Sequence, residues 1–223
     1  MSLLFKYISF TITILLYCFH ANAQTGYGAR VGLNFAKYNL NESIGGVNLK
    51  VSSKTGLHTG FFYNISSGNI FSIQPEVNFS KKGVRQERAD GEVIKRNFNY
   101  LELNLIGKTT IGNENIKGFL NLGPGFGYLM SGKEKNNFLG NSKIDLEAQN
   151  IRRWDTVIHI GLGAAVRLGF ENAVFLEGRY SLSVSDLYDI EDSLKPEWYK
   201  PANHRVFSLT IGYIYYLDGF EIQ

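Results

Sequence analysis

The chain has one cysteine, four prolines and two methionines among 223 residues. It also lacks a continuous apolar run of the roughly 20 residues that a membrane-crossing helix requires. The lone Cys18 lies inside the apolar run 8–19, so the chain beyond that run has no disulfide framework and no thiolate for a metal. A lipid anchor on Cys18 would need a small residue before it, and Tyr17 is bulky. Charge of one sign is also scarce, with 23 Lys plus Arg against 20 Asp plus Glu. That near balance, without a basic cluster, excludes nucleic acid as the expected partner. What is abundant points elsewhere: 24 glycines, 13 tyrosines and 16 phenylalanines suit extended strands and tight turns better than helices.

The N-terminus has Lys6, then "ISFTITILLYCF", then "HANA", which is the layout of a secretory leader with small residues at Ala21 and Ala23. The expected organisation is a cleaved signal peptide over 1–23 and one β-barrel domain over 24–223. Removal of Lys6 leaves 22 basic residues, still close to neutral.

Period-two alternation marks eight segments: 27–38, 55–65, 70–81, 97–110, 117–130, 153–169, 173–184 and 204–217. The connections after the second, fourth and sixth are tight ("SSGN", "IGNEN", "FEN"), whereas 39–54, 82–96, 131–152 and 185–203 are long and polar. Long loops at one end and short turns at the other predict an all-β, eight-stranded antiparallel up-and-down transmembrane barrel.

The two faces decide between a membrane barrel and a soluble one. In "NYLELNLIGK", Leu101, Leu103 and Leu105 share a side opposite Tyr100, Glu102, Asn104, Ile106 and Lys108. Eight strands enclose a space only just filled by side chains, so six or seven large apolar residues per strand cannot all point inward. Gly32, Gly60, Gly123, Gly125, Gly127, Gly161, Gly163 and Gly212 fall on the other face and suit a narrow interior. The leucines are therefore expected to face lipid. Tyr27, Tyr38, Tyr63, Phe71, Phe79, Phe98, Tyr128, Trp154 and Tyr215, near segment ends, are expected to form the interfacial girdles.

The face assigned to the interior carries Arg30, Glu76, Glu102, His159, Arg167, Glu177 and Arg179. A histidine among carboxylates invites an acid–base reading. The cost of unpaired charge in a tight interior favours instead a set of mutually paired side chains that plug the barrel. No catalytic residue is assigned. Beyond the leader, three histidines (His58, His159, His204) without short spacing predict no metal site, "GPGFG" precedes no helix, and no G-x-S-x-G elbow occurs, so no cofactor is expected. Phe138, Tyr188, Trp198 and Tyr199 on the long loops are candidate contacts for a partner. Asp90-Gly91 marks a hairpin turn that extends beyond the membrane.

"FSIQPEVNFSKKG", "YLELNLIGK", "GFLNLGPGFGYLMSGK", "HIGLGAAVRLG", "FLEGRYSLSVSDL" and "RVFSLTIGYIYYL" resemble, in order, blocks of the PorT-like outer-membrane β-barrel proteins of Bacteroidota. The resemblance covers nearly all of the chain after the leader. It implies an OmpA- or OmpX-like eight-stranded barrel in the cell outer membrane, with both termini periplasmic. It also implies that Glu76, Glu102 and Arg179 hold the positions of that family's characteristic acids and arginine. The chain departs from the pattern at its end, where "DGFEIQ" follows the last segment and leaves Phe220 as the candidate terminal aromatic. The expected function is non-catalytic: a barrel in outer-membrane lipid that anchors surface loops for an extracellular ligand or an envelope or secretion-complex protein. A small porin, a lipid-modifying enzyme of the outer membrane and a soluble ligand-binding barrel are the alternatives.

Overall fold

The computed structural model describes residues 23–38, 43–44, 47–68, 70–88, 90–113, 115–188 and 202–217. Residues 1–22 of the expected leader 1–23, and Trp198, Tyr199 and Phe220, lie outside them. Among the described residues ten strands form, in chain order: β1 (Ala23–Tyr38), β2 (Ser43–Ile44), β3 (Val47–Ser67), β4 (Phe71–Arg88), β5 (Val93–Gly112), β6 (Ile116–Asn136), β7 (Gly140–Lys143), β8 (Trp154–Arg167), β9 (Asn172–Ser183) and β10 (His204–Tyr216). Eight of them pair antiparallel in the order β1-β10-β9-β8-β6-β5-β4-β3, and β3 returns to β1. The first and last strands pair from Gly26↔Tyr216 to Tyr38↔His204, which closes the ring. β2 and β7 are short additions to β3 and β6.

Closure matters because a sheet edge in lipid leaves N–H and C=O groups with no partner. One consequence is visible on a gel. The closed ring should survive mild detergent, so an unboiled sample should migrate differently from a boiled one, and identical mobility would argue against a folded barrel.

The faces fall as the alternation predicts. Leu103 is 58% exposed on the outer surface, and its neighbour Glu102 is 3% exposed on the inner one. Ile158, Ile160 and Leu162 on β8 and Phe207, Leu209 and Ile211 on β10 continue the outer apolar belt. A belt this continuous is tolerated only against an apolar surround. Tyr27 with Tyr215 (ring centroids 5.5 Å apart) and Tyr128 with Trp154 (4.9 Å) stand at its two borders. Phe98, expected in the girdle, points inward instead and is fully buried. The ladder between β5 and β6 slips at Asn99/Tyr100, and above the belt the inner face of β5 packs apolar groups.

Strands β3, β4, β5 and β6 all run past their predicted bounds at the long-loop end. β3 and β6 run to 21 residues and β5 to 20, against the 9–11 that cross a bilayer. They project past the belt by about ten residues, roughly 30 Å along the strand. Much of what reads as polar loop at 39–54, 82–96 and 131–152 is therefore strand. The glycines of the inner face make room for rings from neighbouring strands. A Cβ at Gly28 would collide with the Phe62 ring, one at Gly163 with Phe119 and one at Gly212 with Phe175.

Candidate functional site

The alternation of β1, β4 and β9 carries Arg30, Glu76, Glu177 and Arg179 to the barrel axis, where all four are buried. Arg30 Nη2 donates to Glu76 Oε1 at 2.8 Å, and Arg30 Nη1 lies 3.2 Å from each Glu177 oxygen. Arg179 spans the same pair: Nη1 and Nη2 reach Glu76 at 2.7 and 2.9 Å, and Nε reaches Glu177 Oε1 at 2.6 Å. Two guanidinium groups and two carboxylates make a quartet of zero net charge. Gln74 and Asn78 add amide donors to Glu76 at 2.7 and 2.9 Å, so the carboxylate that carries most of the lattice is the most fully satisfied. The Arg30 guanidinium also rests 4.9 Å from the Phe62 ring centre.

A second layer lies toward the long-loop end. Lys82 Nζ is 2.8 Å from Glu102 Oε1 and 2.8 Å from Asp155 Oδ2, and it stands over the Tyr100 ring at 4.6 Å. Ser183 Oγ donates to Asp155, and the Tyr100 hydroxyl lies 3.2 Å from His204 Nε2. Glu102, grouped by the sequence with one cluster, belongs to this layer and not to the quartet. Lys82, Asp155 and His204 are absent from the sequence-derived set.

Both ends of the interior are stoppered. Toward the long loops, Val84, Phe98, Tyr100 and Leu129 meet Ile144, Leu146, Ile151 and Leu187, which fold in from the loops. The fold-back is held by backbone bonds from Ile144 to Gly132 (3.0 Å), Arg152 to Leu187 (2.8 Å) and Leu187 to Ala202 (3.0 Å). Tyr188, half-buried, packs against this cap and bridges to Ile151. At the short-turn end Phe62, Phe119 and Phe175 interlock, with centroids 5.7 and 6.1 Å apart.

Arg167 takes a different place from the one expected. It lies on the inner face but at the short-turn mouth, where Nε donates to Gly169 O at 2.6 Å and the guanidinium lies over Phe170. The quartet is built without it. His159 sits between the layers, with Nδ1 2.8 Å from Ser181 Oγ. A serine beside a histidine suggests a nucleophile and base, but Nε2 meets no orienting carboxylate. The pair also lies between the two buried clusters that fill the ends of the interior among the described residues. Among the described residues no group of three or more His, Cys, Asp or Glu side chains is placed to hold a metal.

Past the cap, the tip of the β6–β7 hairpin is rigidly built. Asn136 Oδ1 accepts from the Phe138 and Leu139 amides (2.8 and 3.2 Å), Asn137 Oδ1 accepts from Val93 N (2.8 Å), and Asn136 Nδ2 donates to Glu92 (2.7 Å). Gly140 turns the chain at φ 86°, in the left-handed region. Phe138 and Leu139 emerge 66% and 85% exposed.

Comparison with known proteins follows this architecture. The chain is similar to OprG of Pseudomonas aeruginosa, at 11% identity over 88% of this chain and 97% of that one, with a TM-score of 0.49. Ail of Yersinia pestis is similar at 14% identity over 86% and 99%, with a TM-score of 0.44. Neisserial surface protein A is similar at 9% over 86% and 97%, with a TM-score of 0.48. No curated protein sequence matches. The family model for the outer-membrane protein β-barrel domain matches residues 22–189, and the chain belongs to that outer-membrane family.

Proposed function

We propose that this protein is a non-catalytic outer-membrane anchor whose barrel holds a rigid hairpin platform at the cell surface, where it engages an envelope or secretion-complex protein. The observation that carries this reading is the β6–β7 tip. Three asparagine- and glutamate-mediated contacts fix a turn whose outward product is two neighbouring apolar side chains, Phe138 and Leu139. Ordering a loop to expose apolar surface is unfavourable unless something covers it. The plugged interior weighs against a porin, and the isolated His159–Ser181 pair weighs against a hydrolase. Glu76, Glu102 and Arg179 on the inner face support a place among PorT-like proteins. Periplasmic termini and a leader cleaved after Ala23 complete the proposal.

Cysteine labelling tests the orientation, because Cys18 is the chain's only cysteine. A membrane-impermeant maleimide should label Phe138→Cys in intact cells, and Asn113→Cys at a short turn only after the envelope is breached. The reverse pattern would overturn the reading. Planar bilayers test the plug: the purified barrel should give no steady single-channel current, and a stable conductance would restore the porin alternative.

A further inference from the structure

We propose that the outer wall of the long hairpins, just past the lipid belt, seats a lipid headgroup that carries two phosphates, held by Lys54, Lys81, Arg85, Lys95, Lys133 and Lys135. The register sets like charges face to face there. Arg85 lies directly opposite Lys95, and Lys95 opposite Lys135, so one row of three cations crosses β4, β5 and β6. Lys133 is opposite Asn97, and the Lys54 ammonium reaches the same Asn97 side chain from β3. Lys54 gets there across Gly83, where a Cβ would stand 3.3 Å from its Cδ. Lys81 shares the outward parity of Phe79 and completes the set. Like charges directly opposite one another destabilise a sheet. Yet of the six only Arg85 has an ion-pair partner among the described residues, Glu87 at 3.5 Å. The inner face of the same rungs is built the other way, with Arg96 holding Glu134 at 2.7 Å. Burial and the neighbouring Lys81 and Lys95 charges hold the Lys54 ammonium below the usual lysine range.

Position and size name the occupant. On the same wall, toward the short turns, Leu101 and Met130 are 42% and 46% exposed and belong to the apolar belt. Cations a few rungs beyond such a belt lie at headgroup height, where anionic lipid attracts each lysine or arginine. On the far side of the barrel Lys37 faces Arg205, both exposed, two residues past the stacked Phe35 and Phe207 rings, so the border is cationic there as well. The six side chains come from four neighbouring strands, a width of roughly 15 Å at ordinary strand spacing. One phosphate bonds only cations within about 3 Å of its oxygens and leaves the others facing each other. Two phosphates on one headgroup serve both flanks and remove the repulsion between them. The acyl chains then lie along Leu101 and Met130. With the long loops at the cell surface, the orientation proposed above and the one on which this source rests, the lipid is the phosphorylated glycolipid of the outer leaflet.

The test offers bis-phosphorylated lipid A, its mono-phosphorylated form and phosphatidylcholine in equal amounts to the folded protein in a neutral detergent, and counts the lipid retained by native mass spectrometry. Bis-phosphorylated lipid A should be retained at least about tenfold over phosphatidylcholine, and above the mono-phosphorylated form. Lys95→Gln with Lys135→Gln, and separately Arg85→Gln with Lys133→Gln, should keep the gel shift and each reduce that retention at least about tenfold. Lys117→Gln with Arg167→Gln removes the same formal charge at the short-turn end and should leave retention unchanged. If one wall pair loses the gel shift, the other decides. The proposal is overturned if either comparison lipid is retained equally well, if the folded wall variants retain the lipid like the wild type, or if the short-turn variant loses it as they do. Protein in detergent has no inside and outside, so this result stands apart from the maleimide labelling that tests the orientation.

Discussion

Glu76→Gln should unfold the barrel more effectively than any other single isosteric change in the lumen. Glu76 accepts from Arg30, Arg179, Gln74 and Asn78, so the substitution strands two guanidinium groups against Glu177 alone. Removing one partner of a buried ion pair costs about 3–5 kcal/mol, because the charge left behind has neither water nor a counter-ion. Urea unfolding from lipid vesicles, followed by the boiled-versus-unboiled gel, would measure it. The double variant Glu76→Gln with Arg179→Gln restores neutrality through Arg30 and Glu177 and should recover a substantial part of the loss. A Glu76→Gln protein that unfolds at the wild-type urea concentration would show that the quartet contributes nothing to stability.

The second layer should respond asymmetrically. Lys82 serves both Glu102 and Asp155, so Lys82→Met leaves two facing carboxylates with no cation and should cost about 3–5 kcal/mol. Glu102→Gln removes the surplus negative charge and keeps the shape, leaving Lys82 with Asp155 as a simple pair. Its cost should be within about 1 kcal/mol of zero. Equal losses from the two substitutions would mean that Lys82 does not bridge. Both variants are measurable in the same urea titration as the quartet.

What the sequence discloses is governed by period two. Glu76, Glu102, Glu177 and Arg179 could be assigned to the interior because each sits between outward apolar residues on an unbroken strand. Lys82 is not legible in this way, because the apolar alternation fades after Phe79 and the predicted segment ends at Lys81. The strand in fact continues to Arg88, where it is held by the β3 and β5 ladders and no longer by lipid. Phe98 failed for the related reason that above the belt the roles of the faces reverse, and an aromatic there packs under a cap. The cap itself was hidden. Ile144 and Leu146 keep period two for only two residues before polar positions and Ile151 break it, and the turn held by Asp145 Oδ1, which accepts from the Glu147 and Ala148 amides, helps bring them over the mouth. Arg167 shares the inward parity of His159, so its face was legible, but its height along the axis was not.

The quartet has a bearing on how the barrel enters a membrane. Arg30 and Glu76 lie in the first half of the chain, 46 positions apart, and bond at 2.8 Å. Glu177 and Arg179 lie in the second half, two positions apart on one face of β9, and bond at 2.6 Å. Each half therefore brings its own neutral pair, and neither has to carry a bare ion across the apolar slab before the other arrives. The bonds that span 103 and 147 positions form only when β9 and β10 come round to β1. Ring closure thus turns two independent pairs into one lattice, so the last step of insertion is also the one that locks the chain against leaving.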